Sequence, residues 1–216
     1  MPIGVVVGLA FEARIANRLG WPVEIGGGTS QGAAHAAQRL ANAGATALLS
    51  FGIAGALDPS LRPGALLIPF TVISGNQRHT ANRALADRLG GTTWHVIVGA
   101  DAVVPTPQQK VRLREQTGAA ALDMESGAVA RVAAARNLPF AVLRAICDPA
   151  QRTLPPAALI APDASGSIAI WRVCHSLAIH PRQVPGVMAL AFDAARARRA
   201  LTARINQIAR ASAPPP

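Results

Sequence analysis

Aromatic residues and cysteines are both scarce in this sequence. Aromatic side chains account for 4% of the 216 residues, and tyrosine is absent. The shortage of aromatic anchors disfavours a sandwich of two sheets, whereas abundant small apolar residues suit helices packed on a sheet. The two cysteines, Cys147 and Cys174, have neither metal spacing nor the density of a secreted scaffold. The sequence therefore predicts no metal site and a reducing, cytoplasmic setting.

Long apolar runs are also missing. No stretch approaches about 18 apolar residues without a charge or a proline, so no membrane span is predicted. The segment from Met1 to Val7 lacks the basic leader of an export signal. Half of the residues are hydrophobic, and a single core can extend to roughly 250 residues. We therefore expect one domain over residues 1–212, followed by a disordered tail at 213–216.

Acidic residues are few, and the basic excess is concentrated near the end of the chain. The formal net charge is +10, and residues 172–216 hold seven arginines against one acid, Asp193. Few aromatic side chains accompany these arginines and no nucleic-acid motif is present, which speaks against nucleic acid as a partner. Two interpretations stay open. The basic C-terminal helix is either a solvated surface or a face that contacts anionic lipid at the inner membrane.

Short runs rich in Val, Ile and Leu alternate with Ala-rich segments of helical spacing. This alternation predicts a single α/β domain with a mostly parallel central sheet flanked by helices. The predicted strands cover residues 4–7, 47–51, 65–70, 95–98, 119–122 and 140–146. The predicted helices cover residues 12–19, 32–43, 108–117, 126–136 and 183–211.

Candidate functional residues follow four of the predicted strands. They form the segments Gly8 to Glu12, Gly52 to Gly55, Asp123 to Glu125, and Cys147 with Asp148. Ligands of open parallel sheets bind in the crevice beyond the carboxyl ends of the strands. Three of the four segments carry a carboxylate, although the chain has only eleven acids. This placement indicates a site equipped for acid–base chemistry.

Asp148 closely follows the predicted strand at 140–146, which is apolar enough to be buried. A carboxyl group in partly desolvated surroundings has a raised pKa, which suits a general acid. The alternative is that Asp148 caps a helix that begins at Pro149, although Pro155 and Pro156 leave little room for one. Its neighbour Cys147 has no histidine beside it and is interpreted as a small buried residue, not a nucleophile.

Asp123, Met124 and Glu125 lie where a strand passes into an Ala-rich helix. Two carboxylates can bind a diol while the thioether contacts an apolar sugar face. The alternative is favourable charge at a helix N-terminus, which fits Asp123 better than Glu125. Glu12 could activate water, but its position alone fits a solvated first-turn residue better. Arg144 lies within an apolar run, so we expect it to pair with an acid and order the site.

Three segments together resemble the nucleoside phosphorylase and methylthioadenosine/adenosylhomocysteine nucleosidase superfamily. They are Ser50 to Gly64, Leu122 to Ala128, and Phe140 to Asp148. They contribute a Gly-rich turn, a Met-Glu pair and an Arg-x-x-x-Asp strand end, and this combination is specific where each motif alone is weak. Within the superfamily, Pro155 to Leu159 and Pro181 to Pro185 resemble the hopanoid-associated phosphorylases.

That resemblance implies a substrate and a division of roles. The substrate would be adenosylhopane, a lipid-linked nucleoside cleaved to adenine and ribosylhopane without a cofactor. By the same resemblance Asp148 protonates the purine, Glu125 with Met124 holds the ribose, and Glu12 positions the attacking water. Related nucleosidases are dimers, so a homodimer is expected. The remaining predicted substrate-binding residues are Asp123, Ile53, Ala54, Gly55, Gly8, Val104 and Cys147.

Two departures from the related phosphorylases bear on the acceptor. Ser50 stands where an arginine is expected and Ile53 where a hydroxyl is expected, and an anionic Glu12 would repel phosphate. These differences favour water over phosphate. The alternatives are a nucleosidase for small methylthio- or homocysteinyl-adenosines, a purine nucleoside phosphorylase, and a non-catalytic protein that binds a nucleoside or a lipid.

Overall fold

The computed structural model describes residues 2–160, 163, 165–167, 175–177 and 179–211. Cys174 and the predicted tail at 213–216 lie outside the described residues. Within the described ranges, no helix has the length and apolar character needed to cross a bilayer.

The centre of the molecule is one nine-stranded sheet. Strand order is β2-β1-β3-β8-β7-β5-β6, and β9 pairs with β3 and with β4. The pairs β1–β2, β1–β3, β3–β9, β5–β7 and β7–β8 are parallel, whereas β3–β8, β4–β9 and β5–β6 are antiparallel. The strands are β1 Ile3–Val7, β2 Val23–Ile25, β3 Ala47–Ala56, β4 Leu66–Leu67, β5 Thr71–Ser74, β6 Gln77–Thr80, β7 Val96–Gly99, β8 Ala121–Asp123 and β9 Phe140–Asp148.

Helices cover both faces of this sheet. Within the described residues they are α1 Ala10–Ala16, α2 Ser30–Asn42, α3 Arg83–Arg88, α4 Pro107–Thr117, α5 Ser126–Ala135 and α6 Val184–Ala211. Small residues of α2 and α5 pack on one face, and apolar residues of α1, α3 and α6 pack on the other. The predicted α/β domain with a mostly parallel sheet is therefore confirmed.

Local sequence signals set where several helices begin. Thr29 and Asn82 accept hydrogen bonds from the backbone N–H groups of Gly32 and Leu85, which caps α2 and α3. At α4, Thr106 and Gln109 form a capping box, and Pro107 is the first residue of the helix. The start of α4 is thereby fixed next to the functional site.

Several predicted strands needed correction, and β2 was not predicted. The strand predicted at 65–70 is only the short β4, and a separate strand, β5, begins after it at Thr71, because Pro69 between them cannot donate to a ladder. The Gly-rich segment 52–55 is not a turn beyond β3 but the second half of that strand, with a register shift between Ala54 and Gly55. The polar edge strand β6 was missed because it is mostly exposed and has no apolar signal.

Candidate active site

A cavity of about 460 Å³ lies where β1, β3, β8 and β9 end. Ten of the twelve predicted site residues line it, and the other two, Gly8 and Arg144, lie beside the residues that do. Among the described residues, no group of three or more His, Cys, Asp or Glu side chains is arranged as a metal site. The predicted residues that line the cavity are Glu12, Ile53, Ala54, Gly55, Val104, Asp123, Met124, Glu125, Cys147 and Asp148.

Glu12 is buried, with 1% of its surface exposed, so it is not a solvated first-turn residue. Its Oε2 accepts hydrogen bonds from the backbone N–H groups of Gly8 and Leu9, each at 2.9 Å. Its Oε1 accepts one from the N–H of Ile53 at 2.8 Å. Burial raises the pKa of Glu12, and the Arg144 charge together with these N–H donors opposes that rise. The carboxyl group is thus fixed between the end of β1 and the middle of β3.

Arg144 is a fully enclosed cation between two acids. Its Nε lies 2.6 Å from Asp123 Oδ2, and one terminal nitrogen lies 3.1 Å from Glu125 Oε2. The same terminal nitrogen donates to Ser50 Oγ at 2.7 Å. An unpaired guanidinium would be costly here, and the paired acids offset that cost. Arg144 therefore holds Asp123 and Glu125 in place, although it does not itself line the cavity.

Asp123 and Glu125 have different surroundings although they are two residues apart. Asp123 Oδ1 accepts hydrogen bonds from the N–H groups of Glu125 and Ser126, which caps the turn into α5. Burial raises the pKa of Glu125 to about 8, with further increases from Asp123 and Glu12 and an opposing effect of Arg144. The charge of Glu125 therefore changes near neutral pH.

Glycines make this crowding of charged groups possible. A methyl group added at Gly52 would collide with the Glu12 carboxyl and with the guanidinium of Arg144. One added at Gly8 would collide with the carboxyl of Glu125. Close approach of backbone to side chain therefore explains these two glycines, with no phosphate loop involved.

Asp148 ends β9 and is 5% exposed. Its Oδ2 lies 2.5 Å from Nζ of Lys110, a side chain with no exposed surface. Its Oδ1 is buried without a hydrogen-bond partner among the described residues. Burial raises the pKa of Asp148, and the hydrogen bond and charge of Lys110 oppose the rise. A turn without a helix follows at Pro149, so the helix-cap interpretation is wrong.

Cys147 lies beside Asp148 and is also buried. Burial raises the pKa of its thiol to about 12, and the Asp148 charge adds to this effect. A thiol with this pKa stays protonated at neutral pH and is a poor nucleophile.

Lys110 and the apolar wall of the cavity were not predicted. Lys110 is the only lysine of the sequence, but it lies on α4, a polar helix without a marked apolar face, so no local pattern predicts its burial. The wall includes four residues from the first half of α6, a helix whose predicted role rested on its basic charge. They are Val187, Leu190, Ala191 and Ala194. Leu9, Phe11, Val103, Leu154 and Ile160 add further apolar lining.

The acid in the basic C-terminal region holds α6 against the site. Asp193 is 3% exposed and pairs with Arg152, which lies shortly after Asp148 in the chain, and with Arg196 at 2.9 Å. The apolar half of α6 is thereby tied to the segment that follows the candidate acid.

Comparison with known proteins identifies a family. The model described as "Phosphorylase superfamily" matches two overlapping segments, residues 14–88 and 78–169, which together cover more than half of the chain. Glu12 lies just before the matched region. No curated protein matches the chain.

Solved structures show the same fold at low sequence identity. Futalosine hydrolase of Helicobacter pylori has a TM-score of 0.68 and 16% identity, over 96% of this chain and 98% of that chain. The methylthioadenosine/adenosylhomocysteine nucleosidase of Colwellia psychrerythraea, solved with adenine, has a TM-score of 0.64 and 17% identity, over 82% and 96%. A variant of the Helicobacter pylori nucleosidase, solved with 5′-methylthioadenosine, has a TM-score of 0.67 and 16% identity, over 95% and 98%.

Proposed function

This chain belongs to the phosphorylase superfamily and is an enzyme of the kind that cleaves N-glycosidic bonds, and we propose that it hydrolyses adenosylhopane to adenine and ribosylhopane. The observation that carries the proposal is one cavity lined by two unlike kinds of residue. Buried acids line it together with apolar residues of α6 and of the segment 154–160. A purine riboside with a hydrocarbon at its 5′ position has the same two-part chemistry.

The acids match the charges that develop as an N-ribosidic bond breaks. The bonding electrons move to the departing base, and the ribose becomes cationic. Asp148 donates its proton to a purine nitrogen, so that the base leaves neutral. Glu125 accepts hydrogen bonds from the ribose hydroxyls and, once ionised, stabilises the cationic sugar. Glu12 holds and deprotonates the water that adds to the anomeric carbon.

Water is favoured over phosphate because the backbone donors that an anion would use are already occupied. The N–H groups of Gly8, Leu9 and Ile53 all donate to the Glu12 carboxyl. Ser50, which stands where an arginine is expected, brings no positive charge, and its Oγ accepts a hydrogen bond from Arg144. A phosphate would have to displace a buried carboxyl group from three hydrogen bonds and would meet its charge.

The basic C-terminal helix adds a partner to this proposal, an anionic lipid surface. Val184, Met188 and Phe192 recur every four residues of α6 and are exposed, with Phe192 63% exposed. The same spacing continues to Arg196, whose side chain is 64% exposed. An apolar strip that runs into an arginine fits a membrane interface, where acyl chains lie below anionic headgroups. The cavity wall on α6 adjoins this strip, which would give a lipid-borne substrate a route from the bilayer.

The test is release of adenine from three nucleosides by the purified chain, with and without phosphate. We expect cleavage of adenosylhopane in preference to 5′-methylthioadenosine and adenosylhomocysteine, with ribosylhopane as the product and no dependence on phosphate. Asp148→Asn should lower kcat by about 10²- to 10⁴-fold, the usual contribution of a general acid to the rate. Asp87→Asn, at an exposed acid of α3, is the control and should retain most of the activity.

Other outcomes would assign a different function to this chain. Preference for 5′-methylthioadenosine would make the chain a nucleosidase for small substrates, and a ribose phosphate product would make it a phosphorylase. Tight adenine binding without turnover, unchanged by Asp148→Asn, would support a non-catalytic nucleoside-binding protein.

A further inference from the structure

We propose that Lys110 is a positioning residue that places the proton of Asp148 on Oδ1, the carboxyl oxygen that has no hydrogen-bond partner among the described residues. This inference rests on the proposed N-ribosidic cleavage and concerns how the general acid is prepared for it. Lys110 is not itself among the residues that line the cavity.

The Lys110 ammonium has three acceptors and no exposed surface. Nζ lies 2.5 Å from Asp148 Oδ2, 3.0 Å from the carbonyl oxygen of Pro149 and 3.1 Å from that of Arg152. A lysine ammonium has three N–H donors and no acceptor. The three acceptors therefore use all of its donors, and the group is held as a cation in one orientation.

This arrangement makes the two oxygens of Asp148 unequal. Oδ2 already receives an N–H from Lys110, so a proton on that oxygen would point at a donor. The proton of a neutral Asp148 therefore belongs on Oδ1, which is buried and has no partner among the described residues. A buried polar atom left unpaired costs free energy, so Oδ1 is prepared for a ligand that supplies the missing acceptor.

Lys110 also stabilises the state reached after proton transfer. The Oδ1–H bond breaks as a bond forms between that proton and a purine nitrogen, while the C–N glycosidic electrons pass to the base. Asp148 is left as a carboxylate 2.5 Å from the ammonium, so an ion pair forms where a neutral acid stood. The ammonium thus favours the proton transfer that burial alone would oppose, since burial disfavours the carboxylate.

A purely structural role for Lys110 would have a different signature. The two backbone contacts tie the segment 149–152 to α4, so loss of Lys110 could loosen the whole site. That loosening would slow every substrate to a similar degree. Loss of proton placement would slow only substrates whose leaving group needs a proton.

The experiment compares an adenine nucleoside that the wild type cleaves with 4-nitrophenyl β-ribofuranoside, whose nitrophenolate leaves unprotonated. The variants are Lys110→Met, Lys110→Arg and, as reference, Asp148→Asn. We expect Lys110→Met to lose about 10²-fold or more in kcat on the nucleoside and only a few-fold on the aryl riboside, in parallel with Asp148→Asn. Lys110→Arg, which keeps the charge, should recover part of the loss on the nucleoside.

Equal losses of kcat on both substrates, or none on the nucleoside, would overturn the role of Lys110 while leaving the proposed function intact. A wild type that cleaves no purine nucleoside would overturn the proposed function and this inference with it. If Lys110→Met fails to fold by circular dichroism, Lys110→Arg decides the question. A loss confined to the nucleoside supports proton placement, and equal losses refute it.

Discussion

Oε1 of Glu12 accepts a hydrogen bond of 2.8 Å from the backbone N–H of Ile53. The two residues are 41 positions apart, and their contact joins the start of α1 to the middle of β3. Since Gly8 and Leu9 donate to the other oxygen, three backbone donors converge on a single side chain. The carboxyl group thereby engages three N–H donors that would otherwise be free to bind an anion.

Removing that carboxyl group should change the response to phosphate. In Glu12→Ala the three N–H groups are freed, so we expect hydrolysis to fall by about 10²-fold and inorganic phosphate to accelerate adenine release. Glu12→Gln keeps the side-chain size and should lose hydrolysis without gaining the phosphate response. Glu24→Ala, at a surface acid paired with Arg39, is the control and should behave as wild type. Acceleration of the wild type by phosphate would contradict this account.

Glu125 should make folding stability depend on pH. Its pKa is raised to about 8 in the folded protein, so above its unfolded value the folded state holds a proton that the unfolded chain releases. Stability therefore falls as pH rises from the ordinary glutamate pKa through about 8. Tm should drop more between pH about 6 and about 9 in wild type than in Glu125→Gln, which cannot ionise.

The exposed Glu115 on α4 supplies the matched control for that experiment. Glu115→Gln removes the same charge from the surface, so its Tm difference should equal that of wild type. A Glu125→Gln protein with the wild-type Tm difference would show that Glu125 is already ionised in the folded state at neutral pH.

A methyl group at position 52 should disturb the acids without touching the substrate. Gly52→Ala places Cβ against Glu12 and Arg144, and overpacking of this kind costs about 1–3 kcal/mol. We expect a lower Tm together with a kcat reduced on every substrate. Gly186→Ala on α6 meets only Pro155, at ordinary contact distance, and should leave both quantities near wild type. An active Gly52→Ala enzyme of unchanged Tm would show that Glu12 and Arg144 can move apart freely.

Membrane contact through α6 is tested by sedimentation with vesicles. We expect the wild type to sediment with anionic phosphatidylglycerol vesicles and much less with neutral phosphatidylcholine. Met188→Ser combined with Phe192→Ser should abolish sedimentation while leaving cleavage of a soluble nucleoside unchanged, since neither residue lines the cavity. Arg196→Gln should weaken sedimentation with the anionic vesicles, and Arg83→Gln, at an exposed residue of α3, is its charge-matched control. Equal binding to both vesicle types would remove the electrostatic part of the proposal.

The sequence was most informative where an apolar run met a polar residue. The runs ahead of Asp123 and Asp148 are long enough to mark buried strands, so the edge at which their side chains gather could be predicted. The strand β6 and the helix α3 carry no such run. The end of β3 was also predicted too early. The glycines in its second half indicated a turn, but in the structure they allow side chains to approach the strand.

Side-chain pairs between residues that are far apart in the sequence could not be predicted. Lys110 reaches Asp148 across 38 positions, and nothing in the pattern around it distinguishes a buried lysine from an exposed one. Asp193 looked like the single acid on a solvated basic helix, yet it is buried between Arg152 and Arg196. Both pairings depend on how loops bring the elements together, which local periodicity does not encode.

The acids of the cavity and the part of its apolar wall that lies on α6 come from separate stretches of the chain. The last of the acids that line the cavity is Asp148, whereas Val187 to Ala194 belong to a helix that starts at Val184. Substitutions in the first turns of α6 can therefore change the shape of the apolar wall while the carboxyl groups stay in place.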